Sequence, residues 1–224
     1  MDINSLKEAQ LSLSKKVRAS DEKQHVKTIA GVDVAYNEQS SEVVGAITVL
    51  DAKTFDVLEI QTSIEPISFP YIPGLFSFRE VPPLLNAYNK LTVTPDLIVC
   101  DGHGLAHPRR FGLACHLGVT LDIPTIGCGK TKLLGEFNEL AEHRGATSAL
   151  VDHDEVIGKV LRTQDNIKPV YVSIGHKVSL DTAVKWVLKL TPKYRLPETT
   201  RQADQLVNKT LKEHREKTCE KHKS

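Results

Sequence analysis

Apolar, β-branched runs divided by polar stretches organise the first part of the chain. Residues 28–36 (TIAGVDVAY) and 43–50 (VVGAITVL) are two such runs. The polar segment between them, Asn37-Glu38-Gln39-Ser40-Ser41-Glu42, predicts a hairpin loop. Residues 57–62 (VLEIQT) alternate in polarity, which predicts a third strand exposed on one face. Three consecutive strands predict an antiparallel start to a sheet. Further on, Leu97, Ile98, Val99 and Cys100 have the composition of a strand buried on both faces. A short strand at 125–127 follows, and 108–118 between them predicts a helix, with Pro108 in its first turn and Gly118 at its end. Strand–helix–strand order implies parallel neighbours. Residues 155–162 and 170–174 predict a late strand pair.

Helical spacing appears in four more places. Ser5-Leu6-Lys7-Glu8 fits a capping box opening a helix with Leu6, Ala9, Leu13 and Val17 inward. Leu84, Leu85, Tyr88 and Leu91 predict a second helix, and Ser179 caps a third that runs through Leu190. Pro197 opens a last one, with Ala203, Leu206, Val207, Thr210 and Leu211 on one side. Residues 212–224 are charged and predict a frayed tail. The expected fold is therefore α/β: a mixed sheet of three antiparallel strands followed by parallel strands, flanked by helices, in one domain spanning 1–224.

Composition narrows the function classes only a little. With 40% hydrophobic and 25% charged residues, the 224-residue chain matches a soluble globule rather than a disordered or membrane chain. A net charge of +1 neither requires nor excludes nucleic acid, because a local basic patch is sufficient. The four cysteines, Cys100, Cys115, Cys128 and Cys219, lack CxxC spacing, so reduced thiols are expected and no zinc site. No signal-peptide core and no membrane-length apolar run occur, which predicts a cytoplasmic protein without a membrane partner.

The candidate chemistry centres on LIVCDGHGLAHPRR, residues 97–110. Asp101 stands where a buried strand ends, the edge at which open α/β sheets bind ligands. Gly102 and Gly104 let the backbone turn and approach a ligand. Asp33 lies inside an otherwise apolar strand, where a lone carboxylate is costly unless it is paired or metal-bound. If the two strands are neighbours, the carboxylates need a cation between them, and oxygen-only donors favour magnesium or manganese over zinc. Glu80 has two readings: a metal-site acid, or the far end of a capping box begun by Ser77, which Pro82 and Pro83 argue against. Asp204 lines up with Val207 and Leu211 at the edge of the inward stripe of the last helix, with a surface acid as the alternative. His103 and His107 are four apart, but Gly104 and Pro108 argue for a loop and against a zinc pair. Phosphate contact or hydrogen bonding is the expectation for them. Lys130 follows a Gly-x-Gly turn and could meet a phosphate. Arg109 and Arg110, expected in a first helical turn, would need an anionic partner or solvent there. In Pro70-Tyr71-Ile72-Pro73-Gly74, two prolines stiffen a loop whose tip either packs or inserts between bases.

Taken together, IAGVDVAY, PYIPGLFSFRE, PDLIVCDGHGLAHPRRFGLACHLG, IPTIGCGK, GHKVSLDTA and YRLPETTRQAD resemble the endonuclease V family, over about residues 29–204. The resemblance implies a ribonuclease-H-like fold. It also implies magnesium-dependent repair cleavage at deoxyinosine, at the second phosphodiester bond 3′ to the lesion, leaving 3′-hydroxyl and 5′-phosphate ends. By matching positions it makes Asp33 and Asp101 metal ligands and Glu80 and Asp204 further acids of that site. It places His107 and Lys130 near the scissile phosphate, with Pro70, Tyr71, Ile72 and Pro73 as the wedge. Gly74, Phe76, Gly104, Gly112 and Leu113 fall around the base pocket. GCGK stands where the family often has GVAK, which keeps Lys130 and leaves Cys128 without a role. The expected partner is damaged DNA, with inosine-containing RNA open as a substrate, and the expected active unit is a monomer. The competing readings are an inosine-specific endoribonuclease or another ribonuclease-H-like nuclease, and, from a different class, a non-catalytic nucleic-acid binder.

Overall fold

A computed structural model describes residues 2–37 and 40–221. Glu38 and Gln39 of the expected hairpin loop, residues 222–224 and the Cys219 side chain lie outside the described residues. The three apolar runs form β1 (Thr28–Asn37), β2 (Glu42–Asp51) and β3 (Val57–Pro66), paired antiparallel. Next come β4 (Leu97–Cys100) and β5 (Thr125–Gly129), which extend the sheet in parallel, β1 beside β4 and β4 beside β5. The sheet then turns antiparallel again through β6 (Thr147–Asp152), β7 (Glu155–Leu161) and β8 (Val170–His176). All eight strands form one sheet in the order β3-β2-β1-β4-β5-β8-β7-β6. This is the mixed α/β architecture expected, with β6 as an edge strand the sequence pattern did not single out.

Five helices flank the sheet: α1 (Ile3–Ser14), α2 (Ser77–Tyr88), α3 (Leu113–Leu121), α4 (Leu180–Lys189) and α5 (Glu198–Lys221). Ala30, Val32, Ile98 and Cys100 pack under α2 and α3 on one face. Ile29, Leu97 and Val99 join Ala183 and Val187 of α4 on the other. Alternate residues of β1 and β4 thus serve opposite cores, as the period of a strand requires.

Several boundaries differ from expectation for local reasons. Asp2, not Ser5, caps α1, accepting from the Asn4 N–H at 3.2 Å. Residues 102–112 form a loop, and α3 starts only after Gly112, so Pro108, Arg109 and Arg110 are not in a helix. Arg110 has a left-handed backbone (φ 53°) that no α-helix accommodates. Asp122, also left-handed, closes α3, and Gly118 sits within the helix. Leu91 lies past the end of α2, which carries Pro82 and Pro83 inside it. α5 continues to Lys221, so the segment expected as a frayed tail is helical that far. Among the described residues no helix is long and apolar enough to cross a membrane.

Candidate active site

The parallel pairing of β1 and β4 puts Val32 beside Cys100. Asp33, within β1, and Asp101, directly after β4, follow that pair, so both carboxylates leave the sheet on the same face at the C-terminal end of β4. Asp33 feels the crowding. Burial, then the nearby Asp101 charge and a smaller contribution from Asp204, push its pKa up to about 7. Glu80, near the start of α2 and 9% exposed, is pushed up to about 8 by burial, with Asp33 and Asp101 adding to the rise. Tyr36 donates to Glu80 Oε1 at 3.1 Å and works against that rise. The capping-box reading of Glu80 is thereby set aside: α2 has no side-chain cap, and Ser77 Oγ pairs with His116 Nδ1 at 3.0 Å.

Lys130, directly after β5, forms an ion pair with Asp101. Burial works against its charge, but Asp101 holds its pKa above the ordinary value. Asp33 and Asp101 are therefore within electrostatic reach of Glu80 on one side and of Lys130 on the other, and Asp204 reaches Asp33 and Lys130. No three of the described His, Cys, Asp or Glu side chains close into a metal cage, and an ammonium is the cation resident on Asp101. Crowded hard oxygen donors, with the Asp33 and Glu80 pKa values raised by burial and by neighbouring acids, have the chemistry a divalent oxygen-seeking ion satisfies.

These raised values have a consequence for stability. Folding favours the protonated forms of Asp33 and Glu80. Their contribution is fully present below about pH 4 and is lost as the pH rises through about 7 to 8. Metal-free protein is expected to melt at a lower temperature near pH 9 than near pH 6, and Asp33→Asn to flatten that fall. Thermal unfolding in a chelator measures both, and identical pH slopes in the two proteins would refute the burial of charge at Asp33.

Beside the acids lies a cleft of about 300 Å³, with Tyr71, Phe76, Glu80, Asp101, His103 and Leu113 among its walls. Pro73, Gly74, His107 and Gly112 complete the side facing the 70–74 loop. Gly104 is one layer behind. A Cβ there would stand 1.9 Å from the Ile174 carbonyl oxygen, so only glycine lets the 102–112 loop press onto β8. Tyr71 is 63% exposed, unlike the buried side chain a packed loop tip would have, and its ring meets Phe76 edge-on at 5.2 Å. Pro70 and Pro73 are exposed and Ile72 is half-buried.

The base of this loop is gripped. The Gly74 carbonyl accepts from Gln10 Nε2 at 3.1 Å, from His107 Nε2 at 3.1 Å and from Arg109 Nη2. Gln10 Oε1 accepts in turn from Arg109 Nε. His107 Nδ1 takes the Arg109 N–H at 3.2 Å, so both ring nitrogens are occupied. Burial pushes the His107 pKa down to about 4 and leaves the ring neutral. His107 thus stands in the cleft wall under the 70–74 loop. The anionic partners of Arg110 are internal: Asp152 at 2.9 Å and Glu155 at 2.7 Å. Gln10, Tyr36 and Arg109 are site residues that sequence reasoning did not assign. Gln10 carries no local signal, being a polar residue on a surface helix until a distant loop covers it.

Comparison with known proteins came to the same place. A family model described as Endonuclease V matches residues 11–205. An endonuclease V from Rippkaea orientalis is 49% identical over 208 residues, covering 92% of this chain and 91% of its own. The crystal structure of the Streptomyces avermitilis endonuclease V superposes with a TM-score of 0.91 at 45% identity, covering 95% of this chain and 94% of that one. A Ciona intestinalis endonuclease V, solved with a 24mer DNA containing an inosine followed by a ribo-adenosine, gives a TM-score of 0.83 at 28% identity, covering 94% and 98%.

Proposed function

Because the chain belongs to the endonuclease V family, a family of nucleases, we propose that it cuts DNA at deoxyinosine, at the second phosphodiester bond 3′ to the lesion. The observation that carries this reading is the placement of Asp33 and Asp101 on one face of the sheet, beside a cleft guarded by an exposed aromatic side chain. The inosine-containing DNA held by the Ciona relative supports the substrate class.

Asp33 and Asp101 would hold magnesium, or manganese in its place, with Glu80 and Asp204 as further oxygens near it. When bound, the ion would supply charge stabilisation to the oxygens entering and leaving phosphorus. The remaining work belongs to the chain. Lys130 leaves Asp101 to meet the phosphate charge. Water attacks phosphorus, the bond to the 3′-oxygen breaks, and the ends are 3′-hydroxyl and 5′-phosphate. The lesion flips into the cleft of Gly74, Phe76, Gly112 and Leu113, where Gly104 lets the wall approach. A mismatched inosine unstacks more easily than a paired base, which supplies part of the selectivity. Tyr71, on its stiff loop, fills the gap left in the strand.

The active unit we propose is a single chain, which by itself carries Asp33, Glu80, Asp101, Asp204, Lys130 and the walls of both clefts. The described cysteines, Cys100, Cys115 and Cys128, are buried and free. Cleavage of matched inosine-DNA and inosine-RNA strands with magnesium tests the reading. Inosine-dependent nicking of DNA supports it. Cutting of RNA alone would shift it to an endoribonuclease, and binding without cutting would make the chain a non-catalytic binder. Tyr71→Ala should weaken binding to inosine DNA several-fold more than to intact DNA, on the scale of one lost base–aromatic stack, about 1–3 kcal/mol. Equal weakening in a titration of both duplexes would reduce Tyr71 to packing.

A further inference from the structure

A second cleft lies on the other side of Asp101. It holds about 290 Å³, and Asp101, Lys130, Tyr194, Arg195, Arg201 and Asp204 are among its walls. Its two arginines differ. The Arg195 guanidinium is tied to backbone through two of its three nitrogens: Nε donates to the Lys168 carbonyl at 2.8 Å, and Nη2 donates to those of Lys130 at 2.6 Å and Pro169 at 2.8 Å. It is a strut that fixes the backbone from which Lys130 projects.

Arg201 is held but not used up. Its guanidinium lies 3.8 Å from the centre of the Tyr194 ring, and its Nε reaches Glu198 at 3.3 Å. Among the described residues, neither terminal nitrogen of Arg201 has a protein acceptor. The acids that share the cleft do not claim them: Lys130 occupies Asp101, and Asp204 makes no ion pair among the described residues. Lys193 Nζ lies 5.4 Å from the same Tyr194 ring. The first turn of α5, with Thr200 in the cleft wall, adds the positive end of a helix. A guanidinium stacked on an aromatic ring, with its fork open, is pre-organised for a phosphate.

We infer that this second cleft takes the nucleotide on the 3′ side of the bond being cut, and that Arg201 clamps the next phosphate downstream. The inference rests on the proposed function. If the flipped base lies in the glycine-rich cleft and the cut falls 3′ to it, the strand crosses Asp101 and leaves along Tyr194 and Arg201. Asp101 is the residue common to both clefts.

Two inosine-containing strands test it under single-turnover conditions with magnesium. One extends several nucleotides past the cut; the other ends in a 3′-hydroxyl on the first nucleoside beyond it, so no downstream phosphate exists. Wild type should cut the extended strand faster. Arg201→Gln should shrink that advantage roughly tenfold, Arg201→Lys should restore part of it, and the salt dependence of binding to the extended strand should weaken by a little under one charge. Thermal unfolding of both variants reports whether the Tyr194 stack also holds α5. An equal slowing of the two strands, or no slowing of either, overturns the inference while the proposed function stands. If wild type cuts neither strand, the functional reading fails and this inference goes with it.

Discussion

Asp101→Ala is expected to lower magnesium-dependent cleavage of inosine DNA by about a thousandfold or more, because it removes the one carboxylate shared by both clefts and paired with Lys130. Asp33→Ala should do the same. Binding should persist in both variants. The cleft walls that would hold the base come mainly from the 70–77 and 102–113 segments, and removing an anion lowers repulsion of the phosphate. Neither variant should be unstable without metal. The Asp33 carboxylate is already disfavoured by burial and by its acidic neighbours, so its loss should raise the melting temperature near pH 9. Single-turnover cleavage and equilibrium binding on one substrate separate these effects. Full activity of either variant in magnesium would refute the assignment, and loss of binding in parallel with cutting would make the residue structural.

The second large effect is expected at a residue with no side chain at all. Gly31 lies on β1 where α5 crosses it, and a Cβ there would stand 2.0 Å from the Thr199 carbonyl oxygen and 2.8 Å from the Thr200 nitrogen. Every atom in the way is backbone, so no rotamer change relieves the overlap. Gly31→Ala should therefore lift the start of α5 from the sheet, costing about 3 kcal/mol or more. The displaced helix carries Asp204 and Arg201, so cleavage by the remaining folded protein should also fall. A denaturant titration gives the stability change directly. An unchanged midpoint would mean that α5 does not rest on β1 at this residue.

Two of the acids stood out in the chain because each broke a rule of its surroundings, whereas Glu80 and Asp204 each kept an ordinary structural reading. Asp33 interrupts an apolar strand, and Asp101 ends one. The strands themselves were legible as β-branched runs, except β6 (TSALVD), which is short and half-exposed and so has neither a run nor a clean alternation. The 102–112 loop misled for a different reason. Pro108 is compatible with a helix start, but the left-handed Arg110 and its pairing with Asp152 and Glu155 are set by the facing ends of β6 and β7, more than 40 residues away. Arg201 and Tyr194 were visible only as part of a matching motif. The stacked geometry that distinguishes Arg201 from Arg195 exists only once the turn before α5 has formed. Local chemistry thus marked the groups that carry charge into the interior, and left unmarked the ones that hold them in place.

The triple grip on the Gly74 carbonyl has a bearing on where this enzyme can be trimmed. The family match begins at residue 11, immediately after Gln10. A polypeptide shortened to that boundary would retain the four acids and the walls of both clefts, yet one of three donors would be missing from the hinge on which the tyrosine-bearing loop is hung. On the proposed function, its hydrolytic machinery would survive while its discrimination between inosine-containing and intact strands declined.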